Sequence, residues 1–187
     1  KASGYLYKLH FLNQVGNLNG ALETAEKATT LMPNNCVCWK NKSVLLYKLN
    51  RNQEAISAIK KAIQLNQCDS DAHQILATYL AEYNLYEEAI NECNTAIKYN
   101  SGHIISYRTK AMCYDKIGNS DLALKTIESI LNIEDPRTYC SYGFYLSKQQ
   151  RYTEALAITE KAIELDKSNI TYQCNKAEFL IVLGKER

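Results

Sequence analysis

Between Ser70 and His103 the apolar positions recur with the period of an amphipathic helix, twice over. The stretch SDAHQILATYLAEYNLYEEAINECNTAIKYNSGH holds two such runs joined by a short polar turn, with alanines at Ala77, Ala89 and Ala96. A step of 34 residues back from Ala89 reaches Ala55 and then Ala21, and the same step forward reaches Ala123. From Ala96 it reaches Ala62 and Ala28 behind and Ile130 ahead. Small residues at fixed phases of such a period mark a repeat solenoid, in which each helical hairpin buries its apolar stripe only by stacking on its neighbours.

The period divides the chain into units at about 2–35, 36–69, 70–103, 104–135 and 136–169, with a partial unit at 170–187. In the first unit a helix carrying Tyr5, Leu6, Leu9 and Leu12 ends at Gly16, which can take the left-handed conformation that closes a helix. The second helix carries Ala21, Ala25, Ala28 and Leu31 on one face and stops before Pro33. Asn34 and Asn35 are placed to cap the next helix. Asn50 stands where Gly16 stood and Asn84 falls at the next such turn; asparagine tolerates positive φ best after glycine. Ser43, Ala77, Ala111, Gly143 and Ala177 share one phase, as expected where two backbones cross too closely for a larger side chain.

The fourth unit departs from the pattern. Ile130 replaces the expected alanine, and Ala123 to Ala155 is 32 residues instead of 34. Ala111 to Ala123 and Gly143 to Ala155 are both 12 apart, so the loss falls between Ile130 and Gly143, where Asp135-Pro136 makes a cap-then-proline helix start. A shortened loop with a bulky residue beside it predicts a kink or change of pitch there. The last helical run, Ile170 to Leu183, presents Phe179, Leu180, Ile181, Val182 and Leu183 with no second helix after it. Terminal units need a polar outer face. The pattern therefore predicts that more units follow or that this end self-associates.

These phases resemble the tetratricopeptide repeat family. With Ala89 taken as position 20, the aromatic near position 4 is Tyr5, Trp39, Tyr107 and Tyr139, and the small residue of position 8 is Ser43, Ala77, Ala111, Gly143 and Ala177. Position 20 is Ala21, Ala55, Ala89, Ala123 and Ala155, and position 27 is Ala28, Ala62, Ala96 and Ala162. His73 and Gln173 depart at the aromatic phase and Leu9 at the small phase, while Lys8, Lys42, Lys110 and Lys176 stand where the family often has leucine. The resemblance implies an all-α, right-handed α-solenoid of antiparallel helix hairpins, about five and a half repeats forming a single domain.

It also implies a function, the binding of another protein as a segment lying in the concave groove lined by first helices. Mapped onto this sequence, that groove takes Lys40, Asn41, Val44 and Tyr47 from the second unit and Thr78 from the third. Arg108, Thr109, Met112 and Lys116 come from the fourth, Arg137, Ser141, Phe144 and Lys148 from the fifth, and Asn175 from the sixth. Members that grip an acidic chaperone C-terminus need a Lys and an Asn four apart, then an Asn, then a Lys and an Arg on successive helices. Asn41 fits the middle place, but Leu6 and His10 precede it and Asp71 and Ile75 follow, so the set is incomplete. In the fourth and fifth units Arg108, Lys116, Arg137 and Lys148 outnumber Asp115 around Met112 and Phe144. That suits a partner segment, extended or helical, with acidic and apolar residues.

Composition narrows the alternatives. With 46% hydrophobic and 22% charged residues, the chain is ordinary for a folded protein, and its 7 Gly and 2 Pro fit long helices with short turns. A net charge of +2 argues against RNA, which the related base-reading helical repeats bind through a strongly basic groove. No apolar run reaches the roughly 18 residues of a membrane span. The 7 cysteines are odd in number and dispersed, which reads as small buried hydrophobes in a reducing, cytoplasmic setting. Cys36 and Cys38 lack a second pair at zinc-finger spacing, and His10, His73 and His103 fall in three different units, so neither a metal nor another cofactor is expected. No nucleophile-base pair or phosphate-cradling loop appears, and no enzymatic activity is expected of the chain itself, although it could be the repeat region of a larger enzyme or multi-subunit assembly.

Overall fold

The structure, a computed structural model, describes residues 2–185. Among them are eleven α-helices and no strand. The first helices of the five hairpins are α1 (Ala2–Gln14), α3 (Cys36–Lys48), α5 (Ser70–Glu82), α7 (Ile104–Lys116) and α9 (Pro136–Lys148). Their partners are α2 (Leu18–Leu31), α4 (Asn52–Leu65), α6 (Tyr86–Tyr99), α8 (Ser120–Glu128) and α10 (Tyr152–Leu165), and α11 (Ile170–Lys185) follows alone. This is the expected α-solenoid of stacked hairpins.

Short-range chemistry sets the reversals. Gly16, Asn50, Asn84, Gly118 and Gln150 each take a positive φ of 58° to 82° just after a first helix. Gln150 carries no signal for this in sequence, since a glutamine in that region costs on the order of 1–2 kcal/mol that the surrounding hairpin must offset. The next helices start on side-chain caps. Asn35 accepts from Val37 N–H and Cys38 N–H, Asp69 from Ala72 N–H, and Asp135 from Thr138 N–H.

Within each hairpin the helices cross on small residues. Ala21, Ala55, Ala89, Ala123 and Ala155 have no accessible surface, and neither do Ser43, Ala77 and Ala111. At Gly143 a Cβ would lie 2.7 Å from Thr159 Oγ1 and 3.3 Å from the Ala155 carbonyl, so this crossing leaves no room for one methyl. Thr159 Oγ1 is itself buried without a hydrogen-bond partner.

Two departures from the repeat pattern turn out to be conservative in contact. Trp39 Nε1 donates to the Pro33 carbonyl at 2.8 Å, and His73, one unit later, places Nε2 3.0 Å from the Gln67 carbonyl at the same register. Its other ring nitrogen lies 2.6 Å from Glu92 Oε2, joining α5 to α6. Two of the lysines at position 7 reach back to position 25 of the preceding unit: Lys42 lies 3.9 Å from Glu26 and Lys176 lies 2.8 Å from Glu160. Tyr142 makes the same contact with Glu128, its hydroxyl donating at 3.4 Å. A polar bridge at the rim of the stack has replaced leucine packing.

Other expectations need correction. Leu31 does not share the buried face of Ala21, Ala25 and Ala28; it closes α2 and is 62% exposed. Ile130 is not a bulky residue at a helix crossing, because α8 stops at Glu128 after 9 residues where its counterparts run to 14. Ile130 then turns inward from the loop and is buried. The apolar core forms two clusters, one spanning the first three units and reaching Cys113, the other running from Ala111 to Phe179. Both meet on α7. On α11 the position-8 residue Ala177 is exposed, as are Cys174, Ile170 (77%) and Ile181 (58%), because no second helix covers them among the described residues. The expected self-association of this end rests on that stripe.

The cysteines divide in the same way. Cys38, Cys93 and Cys113 are buried as expected, whereas Cys68, in the loop before α5, and Cys174, on the uncovered face of α11, are exposed. Burial pushes the Cys93 thiol up to about 12 and the Cys113 thiol up to about 11. Since the thiolate is the reacting species, a disulfide reagent should modify Cys68 and Cys174 first and leave Cys93 and Cys113 intact until denaturant is added; early labelling of either buried thiol in peptide mapping would contradict this packing. Gly143→Ala should destabilise the chain by about 1–3 kcal/mol through overpacking. Adding Thr159→Ala should recover part of that loss, and strictly additive effects in denaturant melts would count against the crossing contact.

Candidate protein-binding groove

The first helices form one continuous layer, and their side chains meet across every junction from the second unit on. Tyr47 of α3 stacks on Tyr79 of α5 with ring centroids 4.3 Å apart. Lys40 of α3 bonds Asp69 at 2.8 Å and reaches Asp71 of α5 at 3.5 Å. Asp71 in turn accepts from His103 Nε2 at 3.1 Å, while the other ring nitrogen of His103 faces the Ser106 hydroxyl at 3.0 Å. Burial opposes the charge on Lys40, but Asp69 and Asp71 outweigh it and hold the ammonium above its usual pKa. The hydrogen bond from His103, helped by Lys40, holds the Asp71 carboxyl below its ordinary value.

The sequence-derived groove residues therefore separate into two groups. Lys40 is committed to carboxylates and Tyr47 to its stack. Thr78 donates to the Gln74 carbonyl and accepts from the Gln74 amide. Val44 and Asn41 are half-buried. This half of the face is internally satisfied and offers little to a ligand.

The other half is open. Met112 of α7 and Phe144 of α9, one unit apart at the same phase, are 40% and 43% exposed. Phe144 packs its edge on Tyr145 at 5.3 Å, and Lys148 sits 5.0 Å above its ring while bonding Asp115 at 2.6 Å. Lys148 is thus a neutralised wall of the anchor and adds no free charge. Arg108, Lys116 and Arg137 have no carboxylate within 4.0 Å among the described residues. Ser141 donates to the Arg137 carbonyl, Thr109 is half-buried, and the Asn175 amide reaches Cys140 Sγ at 3.4 Å. Sequence reasoning missed Asp69, Asp71 and His103, which decide which cations are spent; only the charges were visible, not the pairing.

A face built from the first helices of stacked hairpins, with exposed apolar and cationic side chains at one phase, defines a helical-repeat scaffold. The sequence profile of the tetratricopeptide repeat matches residues 38–67 and 136–169. Those two stretches, in the second and fifth units, carry the tetratricopeptide repeat pattern. A crystal structure described as YrrB, a TPR protein with an unusual peptide-binding site, aligns with 95% of this chain and 92% of its own at a TM-score of 0.69 and 19% identity, which shows the shared fold. Human signal recognition particle subunit SRP72 is 32% identical over 104 residues, 56% of this chain and 15% of that protein. The human protein O-mannosyl-transferase TMTC1 is 26% identical over 166 residues, 88% of this chain and 18% of that protein. The chain thus spans less than a fifth of the length of either relative.

The Asp71 cluster makes a pH prediction. A carboxyl whose folded pKa is depressed adds stability above its unfolded value of about 3.9, and that contribution is lost as pH falls through the lower folded value. His103→Gln should bring the Asp71 titration, followed by carboxyl carbon NMR, back up toward the ordinary range. An unchanged midpoint would mean that His103 does not hold Asp71.

Proposed function

We propose that this protein is an interaction scaffold whose first-helix groove receives a partner segment mixing acidic and apolar residues, across the fourth and fifth units. The observation that carries this reading is the exposure of Met112 and Phe144 beside Arg108, Lys116 and Arg137, on a face whose other half has neutralised itself. An apolar pair anchors such a segment, while unpaired cations set its register and speed its capture. The peptide site named for YrrB supports a groove of this kind, and the signal recognition particle subunit supports a place in a larger assembly. The transferase relative favours a second arrangement, in which the repeats are the scaffold region of a larger enzyme and the catalytic groups lie elsewhere. Among the described residues no helix is long and apolar enough to cross a membrane, and no group of three or more metal-binding side chains occurs. The odd number and dispersed placement of the cysteines support a reducing, cytoplasmic setting.

Phe144→Ala combined with Arg108→Glu should abolish partner capture in a pull-down read by mass spectrometry. Both side chains lie at the surface layer of α7 and α9, so the helical circular-dichroism signal and melting temperature should stay nearly unchanged. Retained capture, or unfolding, would remove this surface as the binding site and direct attention to the second-helix face.

A further inference from the structure

Across the first-helix layer, position 5 of one unit faces position 2 of the next, as the 3.5 Å contact of Lys40 with Asp71 shows. The following junctions fill the same two places with Gln74 and Ile105, then Arg108 and Arg137, then Cys140 and Thr171. Only one of the four has a cation at both places.

The register survives the shortened connection after α8. Lys48 bonds Asn13 and Lys148 bonds Asp115, each joining position 13 to position 12 of the preceding unit, at sequence separations of 35 and 33. That difference of two equals the number of residues lost. Arg108 and Arg137 stand 29 apart where Lys40 and Asp71 stand 31 apart, the same difference. Cys140, one helical turn from Arg137 on α9, independently reports the other arginine. Burial pushes its thiol up, and Arg108 pulls it partly back.

Among the described residues no carboxylate lies within 4.0 Å of either arginine. Asp135 occupies the place of Asp69, yet it accepts from the Thr138 N–H at 2.7 Å and the Thr138 hydroxyl at 2.8 Å and makes no ion pair with Arg108. Two guanidinium groups held as neighbours repel each other until an anion lies between them. Each presents a planar fork, and two forks suit an oxyanion with close to two negative charges and three acceptor oxygens better than one carboxylate. Met112 lies one turn beyond Arg108 on α7, about 6 Å at 1.5 Å per residue, and Phe144 lies two turns beyond Arg137 on α9, about 10 Å. An extended segment covers these distances in about two to three residues.

Building on the groove reading above, we propose that Arg108 and Arg137 together bind the phosphate of a phosphorylated serine or threonine in the partner segment, with an apolar side chain two or three residues away seated on Met112 and Phe144. Phosphorylation of the partner then controls its capture.

The test uses three pools of short fluorescent peptides that differ only in a central phosphoserine, aspartate or serine. Each has Phe fixed two and three residues to either side and the remaining positions randomised among Ala, Gly, Ser and Gln. In anisotropy titrations of the whole chain, the phosphoserine pool should bind at least about tenfold more tightly than the aspartate pool, given two charge-assisted forks in place of one. Arg108→Gln with Arg137→Gln should bring it down to the aspartate level. Lys60→Gln with Lys61→Gln, the same charge removed from α4, should leave it unchanged. Equal binding of the phosphoserine and aspartate pools, with both lost in the Phe144→Ala variant, would overturn the phosphate site and leave the groove reading standing. A phosphoserine preference that survives the arginine substitutions would also overturn it, and failure of all three pools to bind would overturn both readings.

Discussion

The close crossing of the two helices within each hairpin is the constraint on which the remaining structure depends. Each crossing has small, fully buried residues at positions 8 and 20, apart from Leu9 in the first unit, and at Gly143 even a methyl group has no room. Close approach brings the backbones near enough for the second helix of one unit and the first helix of the next to share a core. A hairpin by itself buries too little apolar surface to offset its chain entropy, so stability comes from stacking. α11, which has no second helix among the described residues, shows what the crossing supplies: the phase that is buried at Ala77 and Ala111 is exposed at Ala177.

The stack also fixes which charges remain available. Because first helices repeat at one spacing, a side chain at a given position always meets the same two positions of its neighbours. Opposite charges at such a meeting point cancel, as at Lys40 with Asp69 and Asp71, and the segment becomes an inert wall. Like charges cannot cancel and remain ligand-seeking. The two halves of the first-helix face thus differ in charge balance without differing in fold, through a few side chains at equivalent places. Lys42 and Lys176 follow the same logic on the rim, where Glu26 and Glu160 turn them into inter-unit bridges.

The shortened fourth unit shows how a solenoid absorbs a deletion. Two residues are lost, and α8 ends early, yet the Lys148 to Asp115 contact keeps the first-helix register. The deficit is taken up in the second helix and its loop, where Ile130 fills the space left by the missing turn. The first-helix layer keeps its register at the expense of the layer behind it.

Helix number, hairpin pairing, the small-residue crossings and the site of the deletion were all legible in the sequence, because each follows from local periodicity and from residues with narrow steric or conformational roles. Gly16, Asn50 and Asn84 announce their turns for that reason, and Gln150, with no such role, does not. What only the tertiary structure decided concerns long side chains whose fate depends on a neighbour about 30 residues away. Nothing local distinguishes Lys40, tied to two aspartates, from Arg108, tied to none, or shows that Leu31 faces solvent while Ile130 turns inward. Charge and hydrophobicity are properties of single residues, whereas neutralisation and burial are properties of pairs, and the pairs exist only once the units stack.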